Sequence, residues 1–335
     1  MTRDLPDIPE RRDVDSRSFR EDILPGFRPV VLRGLVSEWP AVGQAPQAVA
    51  QHIAAHDTGR PVETFVGPAS IGGRFFYAPG MSGFNFERRP QPLAQTLAWL
   101  LAHLQDDAPP AVYAGAADVR ALLPGLAQEL KLDLIDQKIA PRIWIGNAVE
   151  VSPHFDQSHN IACVVAGRRR FTLFPPDQVA NLYVGPLEFT VAGQPMGLVS
   201  PEAPDLDRYP RFAQAMDCAI TAELGPGDAI YIPPLWWHHV RSLEPFNVLV
   251  NYWWEAAPVG AGSPFECLVH GLLAIRCLPP AERNAWLALF EHYVFQTGED
   301  PAAHLEPQNR GVLGPMTPQL SQQIRAFLLR GLQRG

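Results

Sequence analysis

Residues 141–258 constrain what this 335-residue chain can fold into more than any other stretch. Short β-branched and aromatic runs alternate there with proline and glycine turns: RIWIGN, IACVVAG, RRRFTLFPP, DAIYIPP and FNVLVNYWW. Regular short strands bounded by turn signals predict a sandwich or barrel, not βαβ units. The flanks differ. Residues 1–140 are mixed: 27–35 read as a strand ending at Gly34, and 93–104 carry apolar residues at helical spacing. Residues 117–132 also read as helix, broken by Pro124. Residues 264–293 and 317–334 carry apolar helical stripes separated by prolines and glycines. The expected organisation is therefore mainly β with helical flanks: an N-terminal α/β region (1–140) completing a β core (141–258), followed by a C-terminal helical region (259–335).

Inside the core lies Ser152-Pro153-His154-Phe155-Asp156. On a strand, side chains two apart share a face, so His154 and Asp156 project together and Phe155 points away. One imidazole and one carboxylate are two-thirds of a facial metal site, and the third ligand must come from a distant strand. The candidate segment is GPGDAIYIPPLWWHHV (225–240), a turn and a strand leading into His238-His239. Two histidines and a carboxylate leave three coordination positions open, which suits Fe(II) binding a co-substrate and O2 together. A closed structural zinc site more commonly takes four protein ligands with cysteine among them. The bland alternative is a surface ion pair at His154/Asp156 and core histidines at 238/239.

Other features bound the function. With 47% hydrophobic and 19% charged residues the chain reads as an ordinary globular protein, and no run of 18 apolar residues is present. The N-terminus lacks the apolar centre of a signal peptide, so a cytoplasmic protein is expected. The net charge is −8 and the densest basic run is Arg168-Arg169-Arg170, so there is no strong nucleic-acid signal. Four cysteines (Cys163, Cys218, Cys267, Cys277) form no C-x-x-C pair and are expected to be reduced core residues. Strand alternation sends Arg169 to one face and its two neighbours to the other, making it either an anion anchor or half of a structural ion pair. His159 breaks the alternation that a fourth ligand would need. The aromatic, glycine-rich segment 71–86 is either a substrate-facing lid or a plain hairpin.

At these residues the chain resembles the JmjC/cupin-like 2-oxoglutarate oxygenases, and among them the asparaginyl hydroxylase that inhibits the hypoxia-inducible factor. The likeness is strong over residues 144–254, through P-H-x-D-x-x-x-N, A-G-R-R-R-F-T-L-F-P-P-D-Q, G-P-G-D-A-I-Y-I-P-x-x-W-W-H-H and V-N-Y-W, and weaker through RPVVLRGLVSEWPA upstream. The resemblance implies a double-stranded β-helix (jelly roll) core. It also implies Fe(II) held by His154, Asp156 and His238, with His239 at a non-ligand position, and 2-oxoglutarate and O2 as co-substrates. Arg169 falls where the related hydroxylase has a lysine pairing with the distal carboxylate of 2-oxoglutarate. Tyr113 matches a tyrosine on that carboxylate, and Asn160 and Asn251 match polar residues lining the co-substrate site. Val151 stands where the relative has a threonine whose hydroxyl contacts 2-oxoglutarate, so that contact is absent. The implied activity is hydroxylation of a protein or peptide side chain. The alternatives are a small-molecule or RNA-base hydroxylase on the same scaffold, a metal enzyme that needs no 2-oxoglutarate, and a non-catalytic metal-binding sensor. The C-terminal helices of the relative build a dimer interface, so a homodimer is expected here.

Overall fold

A computed structural model describes residues 5–256 and 262–334. The thirteen strands are β1 (Glu10–Arg11), β2 (Val30–Leu32), β3 (Pro61–Gly67), β4 (Glu87–Pro92), β5 (Ala111–Asp118), β6 (Arg142–Gly146), β7 (Glu150–His154), β8 (His159–Ala166), β9 (Arg169–Phe174), β10 (Ile220–Leu224), β11 (Ala229–Ile232), β12 (Trp237–Ser242) and β13 (Asn247–Trp254). They form a nine-stranded sheet in the order β1-β2-β11-β8-β13-β6-β5-β3-β4 and a four-stranded sheet in the order β10-β9-β12-β7. Apart from the parallel β1/β2 contact, every ladder is antiparallel. This is the jelly-roll arrangement of two facing sheets expected from the strand texture.

Strand alternation decides where the cores lie. Ile161, Cys163 and Val165 of β8 face outward to a cluster that also holds Val49, Ile53 and Leu97 from the covering helices, and Leu123. Ala162 and Val164 face inward, where they meet Ile230 and Ile232 of β11, Phe171 and Leu173 of β9, and Val240 of β12. Both faces of the large sheet are thus covered, which is why β8 reads as an unbroken apolar run instead of alternating with polar residues. The GPGD turn that launches β11 is fixed twice. Gly227 has φ of 94°, and a Cβ there would sit 2.7 Å from Ser37 Oγ. The Asp228 carboxylate accepts from the backbone of Gly34 and Gly225 and pairs with Arg33 at 2.7 Å.

Chain contacts divide the protein into two compact units, Met1–Glu255 and Ala256–Gly335. The boundary expected at 258/259 lies outside the described residues. The second unit holds the helices Pro264–Ala274, Pro280–Tyr293 and Pro318–Leu332, the first and last capped by the hydroxyls of Ser263 and Thr317. Two expectations need correction. The helix expected over 117–132 is broken at Pro124 as expected, but it is shorter at both ends: Ala117 and Asp118 complete β5, and only Val119–Leu122 and Leu126–Glu129 are helical. Only Cys163 is a core cysteine; Cys218, Cys267 and Cys277 are exposed, although all four are unpaired thiols. Cys218 caps the end of the short helix Phe212–Asp217, Cys267 lies within Pro264–Ala274, and Cys277 lies in the turn that follows that helix. Among the described residues no helix is long and apolar enough to cross a membrane.

Candidate metal centre

The site is built where β7 meets β12. His238 pairs with His154 and Val240 with Val151, so two steps along β12 match three along β7. The extra residue is a bulge at Ser152-Pro153, and a proline, having no N–H to give the ladder, belongs there. The bulge changes the parity of β7. Val240 faces the interior, and Val151 packs against the same interior cluster. His154 faces His238 across the ladder, their ring centroids 4.2 Å apart. Plain alternation along 152–156 therefore gives the right result for His154 and Phe155 but cannot place Val151 on the same side as His154. Phe155 does turn away, packing edge-to-face on Trp237 with centroids 4.9 Å apart. Asp156 lies just past the strand end, where its carbonyl accepts from Leu235 N at 2.8 Å.

One ligand atom from each of His154, Asp156 and His238 lies within 4.8 Å of those of the other two. The Asp156 carboxylate is 3.7 Å from His238 Nε2. In both histidines Nδ1 is 3.0 Å from the backbone carbonyl two residues earlier, Ser152 for His154 and Trp236 for His238. A carbonyl only accepts, so each Nδ1 carries the proton and each Nε2 offers its lone pair. Burial, reinforced by the neighbouring His238, pushes the His154 pKa down to about 4. His154 is thus a neutral donor at neutral pH. Asp156 Oδ2 accepts from Asn160 Nδ2 at 3.1 Å and from Trp253 Nε1 at 2.9 Å.

The other residues singled out in the sequence fall on the same interior. Arg169 shares the face of Phe171 and Leu173, is 1% exposed, and its Nε and Nη2 have no hydrogen-bond partner. Arg168 and Arg170 point the other way and pair with Glu244, Glu223 and Glu202. Tyr113 is fully buried beside Arg169. Burial raises its pKa, and the guanidinium pulls it back. Gly146 opposite Tyr113 leaves space for that ring, since a Cβ there would come within 2.6 Å of it. Asn251 donates to Asn160 at 3.3 Å and accepts from Trp144 Nε1 at 2.9 Å. His159 is not with the ligands: its Nδ1 meets the Tyr231 hydroxyl at 2.9 Å and its ring stacks on Trp254.

His239 faces away from His238. Its Nε2 is 3.2 Å from Glu150, which also accepts from Ser200 Oγ at 2.6 Å and lies 3.6 Å from Arg74. Burial opposes ionisation of Glu150, but His239, Ser200 and Arg74 outweigh it and hold the pKa at about 2. Sequence reasoning missed this carboxylate and the two tryptophan donors, because nothing local distinguishes them from core residues. The segment 71–86 folds back on itself through a Tyr77/Phe84 bridge and stacks on Phe189, forming an aromatic wall that includes Tyr113 and Met196.

Two facing sheets with an inward His–Asp–His cluster define a cupin-type jelly roll. The chain belongs to the cupin-like domain family, which its residues 16–259 match. It is 26% identical over 262 residues to Jumonji C domain-containing protein 5 of Drosophila melanogaster, covering 74% of this chain and 60% of that one. It is 25% identical over 265 residues to tRNA wybutosine-synthesizing protein 5 of Danio rerio, covering 75% and 76%. It is 34% identical over 141 residues to lysine-specific demethylase JMJ31 of Arabidopsis thaliana, covering 41% and 25%. The chain thus spans about three-fifths of the length of the fly relative.

Proposed function

We propose that this chain is an Fe(II)- and 2-oxoglutarate-dependent oxygenase that hydroxylates a protein or peptide side chain. One observation carries the reading: the interior that gathers His154, Asp156 and His238 also buries Arg169 with two unpartnered nitrogens. An ionised guanidinium in an apolar interior is costly unless an anion meets it. A dicarboxylate chelating a metal at the triad would supply that anion at its far end.

The residues present fit both groups. Two imidazoles with free Nε2 and one carboxylate make a three-ligand donor set with open positions, and imidazole with carboxylate suits Fe(II). When bound, Fe(II) and 2-oxoglutarate supply O2 activation, one oxygen atom entering a substrate C–H bond while 2-oxoglutarate is decarboxylated to succinate. The chain's own part is positioning. The Ser152 and Trp236 carbonyls set both histidine tautomers, Arg169 and Tyr113 bind the distal carboxylate, and the aromatic wall excludes water. Purified protein given Fe(II), ascorbate and labelled 2-oxoglutarate should release succinate. No succinate, together with no 2-oxoglutarate binding by calorimetry with Mn(II) present, would overturn the reading.

A second reading is favoured by the tRNA-directed relative, whose length this chain covers most fully of the three compared. An RNA-base substrate would have to be drawn to a chain of net charge −8. Offering peptide pools and tRNA in parallel, and following hydroxylation by mass, separates the two. We further propose that the C-terminal unit pairs with a second copy of this chain. Leu273, Trp286, Leu287, Phe327, Leu329 and Leu332 are all exposed there, and such a surface is stabilised by burial.

A further inference from the structure

A second cluster of metal-ligating side chains lies outside the jelly-roll interior and shares no residue with the triad. The helix Pro46–Ala55 buries Val49, Ala50 and Ile53. His52 is in its last turn and His56 is its C-cap, four residues on, so both imidazoles leave one side of the helix end. Glu129, from the short helix Leu126–Glu129, reaches both. Its Oε2 is 2.6 Å from His52 Nε2 and its Oε1 is 3.3 Å from His56 Nε2. One ligand atom from each of the three side chains falls within 4.8 Å of the others. All three are a quarter to a third exposed, so the cluster opens to solvent on one side.

Gly125 adds a separate observation. Its φ of −66° and ψ of −46° are ordinary helical values that any residue adopts. A Cβ there, however, would lie 2.2 Å from His56 Nδ1 and 2.9 Å from Cε1. Gly125 and Glu129 are four apart on one helical turn. The first leaves room for the His56 ring and the second meets that ring's Nε2.

We propose that His52, His56 and Glu129 form a binding site for a divalent cation of the zinc class, with water in the fourth position. Two imidazoles and a carboxylate favour a borderline cation over calcium or magnesium. Around a tetrahedral zinc with bonds of about 2.0–2.1 Å, neighbouring donor atoms sit about 3.3 Å apart. The His56–Glu129 spacing already has this value. His52 Nε2 lies instead on the other carboxylate oxygen, Oε2, so seating three donors on one cation requires these part-exposed side chains to turn, starting from an arrangement in which one ligand atom of each already lies within 4.8 Å of the others. The competing description is a carboxylate shared by two histidines with no ion, tying the end of one helix to the next.

The test uses the full chain stripped of metal and dialysed against micromolar zinc, with bound zinc quantified. The background is H154A/D156A, so the triad contributes nothing. That variant should keep one equivalent of zinc, and adding H52A/H56A should remove it. Glu129→Gln and Gly125→Ala, each in the same background, should weaken zinc binding roughly 10- to 100-fold, as changes that misorient a metal ligand do. These two leave both histidines in place and stand in if the histidine variant does not fold. If H154A/D156A holds no zinc, or holds as much after H52A/H56A, the cluster is an ion pair only and the proposal is wrong. Because the readout is bound metal and not turnover, its failure leaves the oxygenase reading untouched.

Discussion

Replacing Arg169 by methionine should separate two accounts of that residue, because they predict stability changes of opposite sign. If Arg169 were one member of a buried ion pair, removing it would strand the other charge and cost about 3–5 kcal/mol. Its Nε and Nη2 are unpartnered, and no carboxylate pairs with it among the described residues. R169M then removes an uncompensated charge and puts an apolar side chain of similar length among Phe171, Leu173 and Leu249. The metal-free protein should be unchanged or gain up to about 3 kcal/mol, less the cost of leaving the Tyr113 hydroxyl without its neighbour, about 1 kcal/mol. Co-substrate binding should move the other way. Two charge-assisted hydrogen bonds at about 1.5–3 kcal/mol each correspond to roughly 10²- to 10⁴-fold weaker 2-oxoglutarate. Urea titration of the metal-free chain and calorimetry of 2-oxoglutarate with Mn(II) measure the two effects separately. A loss of 3 kcal/mol or more in stability, or unchanged 2-oxoglutarate affinity, would refute the anchor.

H154A and D156A should each abolish Mn(II) binding while leaving the far-ultraviolet circular dichroism unchanged, and full metal binding by either would remove the triad. Val151→Thr should strengthen 2-oxoglutarate binding by about 0.5–1.5 kcal/mol, one hydrogen bond's worth. The bulge turns residue 151 to the side of His154, and calorimetry reads the change. On acidification the metal-free chain should lose stability in two windows. His154 is depressed to about 4 from 6.5, so the unfolded chain takes up its proton first; the contribution is complete above 6.5 and drains away as pH falls to 4. Glu150, depressed to about 2 from 4.5, contributes above 4.5 and loses its share between 4.5 and 2. Denaturant titrations from pH 7 to 3 that give a flat stability would contradict both. Sedimentation at micromolar concentration should show a dimer, which L273E/W286E should convert to monomer.

Strands β6, β8, β9, β11 and β13 were legible because each is announced locally by a β-branched or aromatic run and by turns such as GPGD. Of the inward set, Arg169 was legible from period-two alternation against Arg168 and Arg170, whereas Tyr113, Asn160 and Asn251 were reached only through the family resemblance. The bulge at Ser152-Pro153 was not, because it is a property of pairing with a strand some 84 residues away. The start of the helix expected over 117–132 was misread for a related reason. Ala117 and Asp118 have partners on β6, and the ladder overrides their helical spacing. His52 and His56 show their four-residue spacing in the sequence, but Glu129 joins them only through packing of two helices.

The polar chain behind Asp156 can be read in one direction only. Trp144 Nε1 and Trp253 Nε1 can only donate, and an ionised carboxylate can only accept. Trp144 therefore fixes Asn251 with its oxygen toward the indole, which turns the Asn251 amide nitrogen to Asn160 Oδ1. Asn160 is left with its own nitrogen facing Asp156 Oδ2. Both amide orientations follow from the ends of the chain, without any ambiguity between oxygen and nitrogen. The outcome is that Asp156 Oδ2 receives two donors, from Asn160 and Trp253, while neither chain member reaches Oδ1. Oδ2 is also the oxygen that lies 3.7 Å from His238 Nε2, so the two donors fix the orientation of the carboxylate oxygen that faces the histidine. Because the chain starts at Trp144, whose ring stacks on Tyr113, the residues beside Arg169 and the orientation of the carboxylate ligand belong to one connected network. Asn160 and Asn251 thus act on Asp156 as well as lining the interior, so their replacement should disturb metal affinity along with 2-oxoglutarate affinity.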